Sequence, residues 1–440
     1  MNTNISIQAQ NNLDIIEYFE AIKIISSHKY NLPDTPVIAI IDKGLNLQHE
    51  DLLANIWANN QEISSNGIDD DQNGYIDDIH GWNFANNTND VSIGGIGNWH
   101  GTPVNGIIGA ENENNLGVKG ISPKVKLMNL VKGESIESII NSLQYVFQMR
   151  KTYNQTNGQK GAYIVAVNCS WGKDSLWASD YPDWCTMYDS LGSVGVLSVH
   201  SVPNDNIDID VYGDMPATSV SNFLITVTNS NQYDEKVYDA GFGKYSVDLA
   251  APGDHTYTTL NPGNYGYFGG TSAAAPYVSG TIGLMYLLPS VDFQKSVKNN
   301  PSFTASIVKT AIMKGVDSSP DCEKNTVSGG RLNAFKSIKL LCDYYGEQQL
   351  YKNLFEPINI ISVYPNPAST HTSLQIECNT DLDISINIAD LNGKNVLIKN
   401  SFLKEGIGIV PIDLSGLHKG FYIVNVTSPE VTKSIKLIIQ

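Results

Sequence analysis

Ser272 lies in the stretch Gly269-Gly270-Thr271-Ser272-Ala273-Ala274-Ala275-Pro276, whose residue types suit a reacting hydroxyl. Two glycines permit a sharp backbone path and close approach by a ligand. Three alanines then favour a slim helix able to enter a tight interior. A serine opening that helix stands at the positive end of its dipole, where developing negative charge is favoured. The same stretch would also serve as a glycine-flanked buried helix, so chemistry requires a base and an acid elsewhere in the chain. His100, in Trp99-His100-Gly101-Thr102-Pro103, begins a second small, apolar helix, although a single histidine is more often a hydrogen-bonded structural residue. Asp42 closes the apolar run Val37-Ile38-Ala39-Ile40-Ile41 and precedes Lys43-Gly44. It therefore stands at the C-terminal end of a buried strand, where open α/β sheets hold their sites.

A separate cluster of oxygens runs from Asn66 to Asp78. Asp69, Asp71 and Asn73 alternate, Gly74 follows, and Asp77 and Asp78 close the segment. Oxygen-rich loops wrap Ca²⁺ with this spacing, the glycine allowing the tight turn. The twelfth position counted from Asp69 is His80 rather than a bidentate Glu, so a full EF-hand is not expected. The expectation is a structural calcium loop with Asp69, Asp71, Asn73 and Asp77 as ligands; an uncoordinated acidic turn is the alternative.

Positioning these groups needs a sheet. The run 37–41 reads as a central parallel strand buried on both faces. Residues 125–131, 162–167, 192–199, 223–228 and 246–250 are further buried-strand candidates, separated by helical stretches. That alternation predicts a doubly wound, mainly parallel α/β sheet with helices on both faces. Near the N-terminus Leu13, Ile16, Phe19, Ile22 and Ile25 recur at three-residue steps, predicting an amphipathic helix over 11–27. Pro33 and Pro36 then break the chain.

Composition narrows the function. A chain of 440 residues exceeds one ordinary domain. A hydrophobic fraction of 41% predicts a folded chain rather than a disordered one. Forty-five acidic against 28 basic residues give a net charge of −17, which argues against nucleic acid or an anionic membrane as partner. No apolar run approaches the ~20 residues of a membrane-spanning helix. Met1 to Gln10 is polar, without the basic start and apolar core of a signal peptide. The five cysteines cannot form a closed intramolecular framework; Cys322 and Cys342 could bridge, and Cys169 reads as a buried thiol.

Taken together, Asp42 at a strand end, His100 in His-Gly-Thr and Ser272 in Gly-Thr-Ser-Ala-Ala-Ala-Pro resemble the three signatures of subtilisin-like serine peptidases. Their order Asp…His…Ser is that of subtilisin itself. The resemblance runs from about residue 36 to 345. It implies a serine endopeptidase acting through an acyl-enzyme, with Ser272 as nucleophile, His100 as general base and acid, and Asp42 orienting the imidazole. It also implies an oxyanion hole that includes Asn204, after the strand Val196–Val202. Ser170-Trp171-Gly172 resembles the segment that pairs with an extended substrate peptide. No organic cofactor is implied; the partners are protein or peptide substrates. Departures from the family's usual residues are Lys43 for a small hydroxyl residue, Pro103 for a second His, Asn105 for Ala, and Pro203 for Gly. Pro203 fixes φ and removes an N–H beside Asn204. The alternative function is a catalytically silent relative that binds peptides or surfaces.

Beyond a helix like the family's last one, near Gly329–Lys336, the pattern changes. The division expected is a helical lead-in over 1–35, a peptidase domain over 36–345, a polar linker over 346–356 and a small all-β sandwich over 357–440. Ile384, Ile386 and Ile388 alternate as in a half-buried strand, and Asn392-Gly393 signals a hairpin turn. Val363-Tyr364-Pro365-Asn366-Pro367 and Gly420–Val426 resemble the C-terminal sorting domain of type IX-secreted bacterial proteins. That resemblance implies the secretion machinery as partner and a secreted or cell-surface location, normally reached after a cleaved signal peptide. A generic adhesion or substrate-binding sandwich is the alternative.

Overall fold

A computed structural model describes residues 10–26, 34–92, 100–355 and 357–440. Pro33 and Trp99, singled out above, lie outside them. The chain divides into two compact units, Met1–Tyr345 and Gly346–Gln440.

In the first unit the apolar runs become one eight-stranded sheet. Its spatial order is Asp317–Ser318, Gly330–Arg331, Leu249–Ala251, Leu224–Asn229, Leu197–Ser201, Ile164–Cys169, Val37–Asp42 and Lys126–Val131. All neighbours are parallel except the short pair at the Asp317 edge. Every residue of Val37–Asp42 and Ile164–Cys169 is buried, as strands covered on both faces must be. After Val37–Asp42 the chain crosses to one side of that strand and returns on the other as Ile164–Cys169. The carboxyl ends of these two strands therefore flank a topological switch point, where such sheets open a crevice.

Two buried helices cover this crevice's neighbourhood. Gly101–Gly109 and Thr271–Tyr286 are buried at every position and pack on each other. An antiparallel hairpin, Thr256–Leu260 with Asn264–Phe268, leads into the second of them. Thr258 and Thr259 hydroxyls donate to the carbonyls of Pro103 and Thr102, tying the hairpin to the first helix.

The amphipathic pattern over 11–27 forms two helices, Asn11–Ile15 and Tyr18–Ser26, rather than one. Glu17 between them has φ of 53°. The carbonyls of Ile15 and Ile16 are taken instead by the Arg331 guanidinium and the Ala334 N–H. These helices are thus hydrogen-bonded into the same unit as the sheet. None of the five cysteines is in a disulfide, so Cys322 and Cys342 are not bridged.

The second unit pairs a three-stranded sheet with a four-stranded one. The first holds Ile358–Tyr364, His371–Cys378 and Gly406–Asp413. The second runs Asn395–Leu403, Leu382–Ala389, Gly420–Thr427 and Thr432–Ile439. Ile384, Ile386 and Ile388 all point into its core. Gly393 has φ of 80° in the turn between two of these strands, where Asp390 accepts from Asn392 and Lys394 N–H groups. The polar linker expected over 346–356 contains a helix, Gln349–Phe355.

Candidate active site

Asp42 ends its strand with the carboxylate buried and accepting three contacts. His100 Nδ1 lies 2.9 and 3.0 Å from its two oxygens, and the Lys43 N–H donates to Oδ1 at 2.6 Å. His100 is the N-cap of helix Gly101–Gly109. A Cβ on Gly101 would sit 2.2 Å from the Gly44 carbonyl, so glycine is what lets this helix start against the strand end. Burial disfavours the imidazolium, but the Asp42 charge and hydrogen bond more than offset it and hold the His100 pKa above its ordinary value. Lys43 and Lys132 act in the opposite direction. On its other side the imidazole meets Phe268 edge-on at 5.3 Å, four residues before Ser272.

Ser272 occupies the first turn of helix Thr271–Tyr286, where N–H groups have no partner within the helix. Its Oγ donates to the Ser170 carbonyl at 3.1 Å, and Ser170 Oγ donates back to the Ser272 carbonyl at 2.8 Å. The reciprocal bond has a cause in the sequence. Pro276, four residues on, has no N–H to close the helical bond to that carbonyl. The Ser170 hydroxyl in turn accepts from Asn168 Nδ2 at 3.0 Å, and Asn168 Oδ1 accepts from Ser279 at 2.9 Å. All of these side chains are buried. A directed chain of hydroxyl and amide groups therefore fixes the carbonyl of Ser272.

Asn204 follows the strand Leu197–Ser201 and faces the same corner. Its Oδ1 accepts from Thr271 N at 2.9 Å and Thr271 Oγ1 at 3.1 Å. With the oxygen so held, the amide Nδ2 is the end left to donate. A Cβ on Gly270 would lie 2.6 Å from this Oδ1, and Gly270 has φ of 82°, so both space and backbone require glycine there. Pro203 does not remove Asn204 from the corner, because Pro203 is held through its carbonyl, which accepts from Gly241 N at 2.8 Å.

The departure at Asn105 is also absorbed. Buried Asn105 donates to the Gly101 carbonyl and to Asn129 Oδ1 on the strand behind, at 2.8 and 2.9 Å. Trp171 is half buried; its indole N–H donates to the Ile41 carbonyl at 2.6 Å and its ring packs between Lys132, Trp184 and His200. Gly172 follows it with a carboxylate directly beneath, that of Asp214.

The acidic loop gathers a set that differs from the expected one. Glu62, Asp69 and Asp71 bring carboxylate oxygens within 4.8 Å of one another. Asp77 is instead turned to the backbone, accepting from Asn66 and Gly67 N–H groups. The Asn73 amide donates to Asp71 and Asp78, and its oxygen accepts from Tyr75 N. Burial raises the Asp71 pKa, and neighbouring Asp69 adds to the rise. Asp78, buried beneath the loop, is pushed up to about 7 despite hydrogen bonds from Tyr145, Asn73 and Asn59. Glu62, seven residues before Asp69, carried no spacing signal. Asn168 and Ser279 gave none either, because each is an unremarkable polar residue in an apolar run.

Residues 34–333 match the Subtilase family, and residues 362–440 match the Secretion system C-terminal sorting domain. The chain is 27% identical over 360 residues to Subtilisin-like protease 1 of Plasmodium berghei (strain Anka), covering 74% of this chain and 53% of that protein. It is 29% identical over 322 residues to Subtilisin-like protease 1 of Plasmodium falciparum (isolate 3D7), covering 65% and 42%. The chain thus spans about half the length of the curated relatives it matches. Among solved structures it is similar to the epidermin leader peptide processing serine protease from Staphylococcus aureus. The TM-score is 0.54 at 20% identity, over 78% of this chain and 82% of that one, a likeness of fold.

Proposed function

Since the chain belongs to the subtilase family, we propose that it is a serine endopeptidase whose reacting groups are Ser272, His100 and Asp42. The observation that carries this is the His100–Asp42 pair, bonded at 2.9 and 3.0 Å beside the corner from which Ser272 projects. A serine hydroxyl attacks a carbonyl only when a base accepts its proton. His100 Nε2 takes that proton, Ser272 Oγ bonds the scissile carbon, and the tetrahedral oxyanion is met by Asn204 Nδ2 and the unpaired Ser272 N–H. His100 then gives the proton to the leaving amine. Water, deprotonated by the same imidazole, releases the acyl group from Ser272. Asp42 holds the tautomer with Nδ1–H and stabilises the imidazolium. The extended substrate pairs with the backbone of Ser170–Gly172.

A fluorophosphonate probe tests this reading. It is expected to label Ser272 in the folded protein, with labelling and casein cleavage both abolished in Ser272→Ala. Absence of labelling would leave a chain that at most binds peptides.

Glu62, Asp69 and Asp71, assisted by Asn73, would hold a calcium ion, for which a set of hard carboxylate oxygens is chemically suited. Bringing these groups together is electrostatically unfavourable, as the raised Asp71 pKa reflects, and a divalent cation reverses the sign of that interaction. Calorimetric titration is expected to give saturable binding that Glu62→Gln weakens at least tenfold; no heat from the native protein would remove the proposal. The match at residues 362–440 supports delivery to the cell surface or medium through the secretion machinery. Cell fractionation of the full chain against one ending at Tyr345 checks it.

A further inference from the structure

Asp214 is 0% exposed, and neither of its carboxylate oxygens has a hydrogen-bond partner of ordinary geometry. The Ala217 N–H favours its charged form, but burial outweighs it and pushes the carboxyl well above the usual range; Asp174 adds to that rise. A desolvated acid without a partner is unfavourable, and an unpaired group of this kind in a native protein calls for a physical reason. Its position supplies one.

Asp214 pairs with Asp174 across a short antiparallel ladder whose other rung is Lys173–Met215. That ladder continues directly from Ser170-Trp171-Gly172. A Cβ built on Gly172 would stand 3.0 Å from Asp214 Oδ1 and 3.4 Å from Oδ2. The carboxylate thus lies against the face of the segment where a side chain is missing, two residues from the carbonyl that Ser272 touches. Among the described residues no cation answers it. Lys173, in the neighbouring rung of the ladder, acts on Glu134, as does Lys132. His200, which packs edge-on against Tyr188 at 5.4 Å, is kept neutral by burial, with a pKa of about 3. Tyr188 itself feels the Asp214 charge only as a repulsion against its own ionisation.

We propose that Asp214 is a specificity-determining residue which selects a Lys or Arg side chain on the acyl side of the scissile bond. The proposal rests on the reading of Ser170–Gly172 as the substrate-pairing segment. A peptide lying along that segment directs the side chain next to the scissile carbonyl past Gly172. A long aliphatic stem with a terminal cation reaches past Gly172 and meets the acid at its end. The ion pair supplies the partner that the free protein lacks, whereas a Leu or Phe leaves the acid unpaired and a Glu adds a like charge to Asp214 and Asp174. Specificity then arises from an unpaired buried group, the case in which discrimination is steep.

The test uses fluorogenic peptides identical except for Lys, Arg, Leu, Phe or Glu at that one position. The native protein is expected to cleave Lys and Arg peptides with kcat/KM at least tenfold above Leu. Asp214→Asn, which keeps shape, is expected to reduce that ratio at least tenfold while changing the Leu value less than threefold. Asp214→Ser guards against a folding defect in the first variant. A native preference for Leu or Phe, an unchanged ratio in the variants, or an equal loss on all peptides would overturn the proposal. The same ranking is expected when uncleaved peptides bind Ser272→Ala in a calorimeter. If no peptide is turned over, proteolysis fails as a reading, yet the binding series, with and without Asp214→Asn, still decides the role of Asp214.

Discussion

In the proposed mechanism His100 must be neutral to accept the Ser272 proton, so its titration would set the acid limb of activity. Asp42 holds the pKa above 6.5, which places the fall in kcat/KM, as pH is lowered, above that value. Lys43 lowers the same pKa. Lys43→Ala is therefore expected to move the acid limb to higher pH, read from kcat/KM profiles; a shift to lower pH would contradict the assignment. The linkage to folding has the same origin. A raised histidine pKa contributes stability that is present below the unfolded value and is lost as pH rises through the folded one. Ser170 offers a sharper probe of position. Ser170→Ala leaves the Ser272 carbonyl unpaired, because Pro276 cannot donate to it, and leaves the Asn168 amide without its acceptor. An unmade buried hydrogen bond costs about 1–3 kcal/mol. The expected outcome is a fall in kcat of about fivefold to a hundredfold with KM little changed, and a parallel slowing of fluorophosphonate labelling. The local signatures around Asp42, His100 and Ser272 were legible in the chain itself; that Pro276 leaves the Ser272 carbonyl open was not read from it. What closes that carbonyl comes from Ser170, 102 residues away. No periodicity links the two.

At the scale of elements, strands buried on both faces were the easiest to read, since continuous apolar runs need no partner to identify them. The segment 11–26 was harder. Its three-residue steps fit one helix, but the bend at Glu17 is imposed by groups from the far end of the unit. Arg331, 5% exposed, donates to the Ile15 and Leu332 carbonyls at 2.6 and 2.7 Å and pairs with Asp234 at 2.7 Å and Asp317 at 2.9 Å. This guanidinium joins the N-terminal helices, the edge of the sheet and the loop after Leu224–Asn229. Removing the guanidinium leaves partly exposed Asp234 without its cation and the Ile15 carbonyl without its donor, while Asp317 keeps Lys336, at about 1–3 kcal/mol. Arg331→Met is expected to lose about that much in urea unfolding monitored by tryptophan fluorescence. A loss under 1 kcal/mol would show that water reaches the cluster, in keeping with weak exposed pairs. The meaning of Asp214 was hidden as the Ser170–Ser272 bond was: it lies in which glycine it faces, and two α-helices and the strand Leu197–Ser201 separate the two in sequence.

For the whole molecule the consequence is that stability resides in two places. The 358–439 sandwich carries its own core, built from both its sheets. Its alternating isoleucines and its Asn-Gly turn were readable because period-two patterns are local. The helix Gln349–Phe355 was not, since its polar surroundings read as linker. Glu62, Asp69 and Asp71 all belong to the first unit. A ligand bound only by a native unit stabilises that unit by mass action and no other. Scanning calorimetry of the full chain is therefore expected to show two transitions. Chelation of calcium should lower the one that also appears in a chain ending at Tyr345, and leave the other in place. Binding at 100 times the dissociation constant contributes ~2.7 kcal/mol, enough to move that transition by several degrees. If both transitions moved together on chelation, the two units would be coupled. If neither moved, Glu62, Asp69 and Asp71 would form an acidic turn held by hydrogen bonds without a cation.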